Sequence, residues 1–324
     1  MELNYQISTN ITLNHILEKI EHLTFPPVRK RIQSIPLQEP FTGVWAIEGK
    51  EIIGAVLADK KDNGVAELFS FYVKPEKRNN KIGSQLLTLL ETSLLNQRVK
   101  YVQSRYWSNW NSVWVIEKLL KKNGWDEPVL IRIIAEGNIE SYKKVSWPEV
   151  KFSSGFSFFS FEEITSDQKA QLDQLIENNQ VPKEFNPFQH QEKMYKPASI
   201  LLEHNTGIAG WNIAYRLKED TIEYNNLYLL ENYRKRGYAI KLLQESFAEQ
   251  YKHKIPKVTW IVNADNQAVM KMVKQIAGDH LNKYIEVKAS RKILQYFIDP
   301  KKEVLPDCKP PSFFLFSALF CSVF

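Results

Sequence analysis

Two stretches of this chain repeat each other. Residues 54–87 read GAVLADKKDNGVAELFSFYVKPEKRNNKIGSQLL, and residues 210–243 read GWNIAYRLKEDTIEYNNLYLLENYRKRGYAIKLL. They align without a gap at an offset of 156, so that Gly54 meets Gly210, Glu67 meets Glu223, Tyr72 meets Tyr228 and Arg78 meets Arg234. That offset is too long for a solenoid repeat and fits a duplicated domain. A chain of 324 residues has room for two domains of about 150. Trp147-Pro148 and Ser153-Ser154-Gly155 are breakers near the join. The expected division is therefore 1–148, 149–303 and an apolar tail at 304–324.

Each copy reads as strands alternating with helices, with hairpins early, which makes an α/β fold with a central mixed sheet flanked by helices. In the first copy the periodicity predicts a helix over 12–20 with Asn10 or Thr12 as cap. It predicts strands over 44–47, 52–58, 65–73 and 99–104, with a turn at Glu48-Gly49-Lys50. Helices follow over 82–96, with Leu86, Leu87, Leu90 and Leu94 on one face, and over 113–122, closed by Gly124. In the second copy strands are expected over 156–161, 199–203, 207–215, 221–229 and 258–262, and helices over 167–178, 240–250 and 266–276.

Composition narrows the function. The net charge of +6 suits a polyanionic ligand. The densest basic runs, Arg29-Lys30-Arg31 and Arg234-Lys235-Arg236, are short, and no nucleic-acid-binding motif is present, so no nucleic acid partner is expected. The two cysteines, Cys308 and Cys321, and the six histidines make no metal-ligand spacing, so no metal is expected. The start has no basic and apolar leader, which leads us to expect a cytoplasmic protein. The tail segment Ser312–Phe324, SFFLFSALFCSVF, is shorter than the roughly 20 residues a transmembrane helix needs. It could cap a groove, bury at a homodimer interface or touch a membrane.

The clearest chemistry lies at YRKRGYAIKLL, Tyr233–Leu243, which follows a strand and opens a helix. Arg234-x-x-Gly237-x-Ala239 lets the backbone turn tightly and approach a ligand closely. Unpaired N–H groups at the helix start then face an anion, and a pyrophosphate fits such a place.

These residues resemble the acyl-CoA signature of the GCN5-related N-acetyltransferase (GNAT) family, Arg/Gln-x-x-Gly-x-Gly/Ala between the fourth strand and the next helix. Val258–Asn266 resembles the family's following strand and helix start, and Lys121-Lys-Asn-Gly124-Trp125 resembles the close of that helix in the first copy. The resemblance implies a tandem GNAT protein in which a primary amine attacks the thioester of acetyl-CoA or another acyl-CoA directly. Arg234, Lys235, Arg236, Gly237, Tyr238 and Ala239 would hold the pyrophosphate, and the backbone of Leu227 to Leu229 the pantetheine, where an N–H steadies the developing oxyanion. Asn263 and Asn266 could bond the cofactor or cap a strand–helix junction. In the first copy, Arg78-Asn79-Asn80-Lys81-Ile82-Gly83, Lys81 replaces the first glycine and puts a long side chain where the phosphate approaches.

An amine nucleophile must lose a proton. Glu223 and Glu67 each lie eleven residues before the loop arginine, the spacing of the base in relatives that use a glutamate there. The tyrosine that many relatives place on the later helix falls at Val273 in the second copy and Leu120 in the first. Two functions remain open: an N-acyltransferase acting from the second copy, with a degenerate first copy, and a non-catalytic acyl-CoA-binding or scaffold protein of the same fold. The acceptor is a primary amine, on a small molecule or a peptide. Trp211, Tyr215 and Leu227 are candidates to line an acyl tunnel.

Overall fold

The computed structural model describes residues 2–11, 41–61, 64–150 and 154–294. The helix read at 12–20, the Arg29 run, both cysteines and the apolar tail lie outside the described residues. Contacts divide the chain into two compact units: Met1–Leu130 with residues from Val287 onward, and Ile131–Glu286. The division does not fall at residue 148. Residues 131–148 belong with the second copy, and Val287 onward belongs with the first.

The first unit contains β1 (Leu3–Ile11), β2 (Phe41–Glu48), β3 (Glu51–Lys60) and β4 (Val65–Val73), each antiparallel to the next. Asn10, read as a helix cap, lies inside β1. Helix α1 (Ile82–Asn96) carries the chain over to β5 (Tyr101–Trp107), which lies parallel to β4, and α2 (Val113–Lys122) follows. The α1 leucines recur at helical spacing, so Leu86, Leu87, Leu90 and Leu94 share one face, and all four are fully buried against Val44, Ala46, Ile53 and Val56. Each contributes about 1.5–3 kcal/mol by leaving water.

The sheet is completed by a strand from far along the chain. β12 (Leu281–Ile293) pairs antiparallel with β5 through Val287–Ile293. Side chains hold it there. Lys292 bonds the buried Glu91 of α1 and, at 2.7 Å, the Asn123 carbonyl. Trp125 donates to the other oxygen of Glu91 at 2.8 Å.

The second unit repeats the plan. β7 (Phe156–Ser160), β8 (Ile200–His204), β9 (Gly207–Lys218) and β10 (Thr221–Leu229) are antiparallel neighbours. Helix α4 (Tyr238–Lys252) leads to β11 (Lys257–Asn263), parallel to β10, and α5 (Gln267–Ala277) follows. Helix α3 (Ser166–Glu177) precedes β8 and opens with a capping box between Thr165 and Gln168. Here the last strand comes from earlier in the chain. β6 (Val129–Asn138) pairs antiparallel with β11 from Arg132 to Asn138.

β1, β6 and β12 are absent from the sequence reading, and the exchange of the last two explains the displaced boundary. β6 directly follows the first copy's last helix, and nothing in its own residues, VLIRIIAEGN, names β11 as its neighbour.

Candidate functional site

Strand β10 holds the centre of the second unit. Its pairing with β9 slips between Tyr224 and Asn226, leaving Asn225 as an extra, bulged residue. Its parallel ladder with β11 runs only from Thr221 to Tyr224. Beyond the bulge the two strands part, and Asn226–Leu229 keep a partner on the β9 side alone. The first unit does the same at the equivalent place. β4 slips at Phe69, and its ladder with β5 stops at Leu68. A parted pair of parallel strands offers a row of backbone donors and acceptors to an extended ligand.

The loop ahead of α4 alternates backbone hands. Lys235 (φ 61°) and Gly237 (φ 83°) are left-handed, and Gly237 is the N-cap of α4 with no side chain capping the helix. Successive N–H groups in such a run form an anion-binding concavity, and the helix dipole adds to it. The first copy repeats the geometry at Asn79 (φ 66°) and Lys81 (φ 62°), again ahead of an uncapped helix. Lys81 therefore leaves the backbone of its loop unchanged. What it adds is an exposed side chain, with about 1–2 kcal/mol of left-handed strain.

The loop arginines have a bracing role. Arg234 Nε donates to the Leu229 carbonyl at 2.9 Å, with its guanidinium 5.3 Å from the Tyr228 ring centre. Arg78 donates to the Val73 carbonyl at 3.0 Å and lies 6.0 Å from Tyr72. The repeated Tyr–Arg pair thus ties the strand end to the loop in both copies. Gly210 has its own reason: a Cβ there would lie 2.3 Å from the Tyr228 carbonyl oxygen. Lys235 and Arg236 are exposed beside the loop, and Tyr238 is buried beneath it.

The two glutamates differ. Glu67 is buried and held by Arg105 from two nitrogens, Nε at 2.6 Å, and by Gln103 at 3.2 Å. Both partners come from β5. Its carboxylate is committed to a structural clamp, which argues against the catalytic role considered for it. Glu223 is buried at the matching position, between Tyr215 on β9 and Thr259 on β11. By register Ile261 stands on β11 where Arg105 stands on β5.

Glu223 faces a polar network that the sequence did not suggest. Asn226 Nδ2 donates to the Tyr215 hydroxyl and to the Asn186 carbonyl, both at 3.3 Å. Trp211 Nε1 donates to Asn226 Oδ1 at 3.2 Å and to the Phe185 carbonyl at 3.1 Å. Tyr215 donates to the Gln189 carbonyl at 3.2 Å, and Tyr228 to that of Gln180 at 3.2 Å. These side chains pin the segment 180–190 over this face of β9 and β10. Burial pushes the Tyr215 hydroxyl above the usual phenol range; the Asn226 bond opposes this, and the nearby Glu223 charge adds to it.

Trp211 and Tyr215 thus serve as anchors of this segment. Leu227 and Leu229 turn their side chains to a cluster with Tyr238 and Leu242 of α4. Trp211→Phe should loosen the segment. It leaves the Phe185 carbonyl without its donor, at a cost of about 1–2 kcal/mol, and hydrogen exchange over 183–190 should quicken while the β9 ladder stays protected.

Asn266 is the N-cap of α5, accepting from Val269 N–H at 3.2 Å. Asn263 ends β11 with its side chain exposed. Val273 and Leu120 are both buried. Among the described residues no three His, Cys, Asp or Glu side chains converge on a metal-sized space, and no helix is long and apolar enough to cross a membrane.

This geometry has known counterparts. The sequence model of the acetyltransferase (GNAT) family matches residues 13–113 and again 162–278, more than half of the chain. The chain belongs to the GNAT family. It is a tandem GNAT protein, each copy carrying the bulged strand and the loop-to-helix turn. Among solved structures, the GCN5-related N-acetyltransferase from Sphaerobacter thermophilus is similar over 92% of this chain and 97% of its own, with TM-score 0.54 and 18% identity. A tandem GNAT protein from the clavulanic acid biosynthesis pathway covers 91% and 99%, with TM-score 0.54 and 11% identity. At these identities the likeness is one of fold. A search of curated proteins finds no match.

Proposed function

We propose that the chain is an acyl-CoA-dependent N-acyltransferase working from its second copy. The observation that carries this reading is the parting of β10 from β11 at Asn225, directly ahead of an uncapped helix that starts from two left-handed residues. The amides of Lys235 to Ala239 would hold the pyrophosphate, with Lys235 and Arg236 adding charge. The free edge of Asn226–Leu229 would hold the pantetheine. Acyl-CoA, when bound, supplies the thioester carbonyl that the amine attacks. Glu223 would take the amine proton and a backbone N–H past the bulge would steady the carbonyl oxygen while the C–N bond forms; the C–S bond then breaks and CoA leaves as the thiolate, which takes a proton from water.

The acceptor class is a primary amine, on a small molecule or a peptide side chain, and the donor is acetyl-CoA or a longer acyl-CoA. Glu223→Gln keeps the shape of the site and removes the base. Its kcat on the best amine of a panel should fall about 10²- to 10⁴-fold, with the acidic limb of the pH–rate profile lost and Kd for CoA unchanged. An unaltered profile would remove Glu223 from the role.

One observation favours a second reading, a GNAT fold that binds acyl-CoA without turning it over. Val273 and Leu120 are buried apolar residues where many relatives carry a tyrosine. A CoA thioester that co-purifies, identified by mass, combined with no acylation of any amine in the panel, would select it.

A further inference from the structure

The segment that follows β6 in the second unit lies on that unit's phosphate loop. Val150 is packed against the buried cluster that holds Leu229 of β10 with Tyr238 and Leu242 of α4. A Cβ built on Gly237 would lie 3.1 Å from both Val150 methyl groups. Further back, the Trp147 ring meets Phe247 of α4 edge-on at 5.8 Å. Further back still, the Lys143 ammonium bonds the Tyr251 hydroxyl and lies 4.3 Å from its ring centre. Residues 143, 147 and 150 therefore run antiparallel to α4, from its last turn to its N-cap.

The segment therefore follows α4 along most of its length, as a strap.

We propose that residues 147–150 are an autoinhibitory strap over the acyl-CoA groove of the second copy, seated by Trp147 and Val150, which the cofactor must displace. The proposal rests on the reading that acyl-CoA sits at the Gly237 loop. Val150 fills the approach that the glycine leaves open, so only the unstrapped fraction of molecules is competent to bind. Apparent affinity is reduced by that fraction.

The test measures binding of free CoA by calorimetry to the full chain, to Val150→Gly, and to a variant with Gly-Ser inserted after Glu149, which keeps Val150 and slackens the strap. Both should bind at least fivefold more tightly than the unmodified chain, with melting temperatures showing that they fold. Hydrogen exchange over 145–150 in the unmodified chain should quicken when CoA is added. Affinities equal to that of the unmodified chain, or slower exchange with CoA, overturn the strap. Gly237→Trp separates the two ideas. If it abolishes binding while the strap variants change nothing, the strap alone fails. If it leaves CoA binding intact, the reading of the site fails, and the strap with it.

Discussion

Gly237→Trp should reduce CoA affinity by at least a hundredfold, and Lys81→Trp should change it less than twofold. Gly237 is left-handed at the N-cap of α4, where the ligand must come within hydrogen-bond distance of the amides. A side chain there takes the ligand's place. The backbone itself can carry one, because Lys81 holds the same left-handed geometry in the first copy at about 1–2 kcal/mol of strain. Lost binding in a folded Gly237→Trp variant therefore reports on ligand space. Lys81→Trp exchanges one exposed side chain for another at a loop that already has no opening of this kind. Calorimetry with free CoA checks both. Loss of binding in the Lys81 variant alone would move the site to the first copy.

Glu67→Gln should destabilise the chain by about 2–3 kcal/mol without touching CoA affinity. Breaking a buried ion pair by removing one partner costs about 3–5 kcal/mol. Arg105 keeps 22% of its side chain in water, which lowers the expectation. The amide can still meet Gln103, but Arg105 loses a charged partner it met with two nitrogens. Denaturant unfolding monitored on the first unit measures the loss. Adding Arg105→Met should recover part of it, since the guanidinium that met Glu67 with two nitrogens is then gone as well. A collapse of turnover with unchanged stability would restore Glu67 as a catalytic group.

Much of this was legible in the residues. The leucines of α1 marked that helix over 82–96, as observed, because one buried face at helical spacing is a local property. The gap-free repeat likewise marked paired structural devices, and Tyr72–Arg78 with Tyr228–Arg234 proved to be one. What escaped notice depends on neighbours. Glu67 and Glu223 look alike in sequence. Their neighbours on the adjacent strand differ, Arg105 beside Glu67 and Ile261 at the matching place beside Glu223, which only register reveals. The bulges at Phe69 and Asn225 leave no turn residue to mark them. The residues mark Lys81 as a long side chain in the path of a phosphate, but not that the loop keeps its left-handed geometry there.

The exchanged strands set an order of assembly during synthesis. Tyr106 on β5 bonds Ser290 on β12 across 184 residues of sequence. A ribosome needs roughly 10–40 s to make that length at about 5–20 residues per second. Until then the β5 edge of the first unit has no strand beside it and is open to pairing with another nascent chain. The second unit already has β6 in hand, and all its strands from β6 to β11 are complete by Asn263. The half translated last can therefore close first, and the half translated first waits for the final strand.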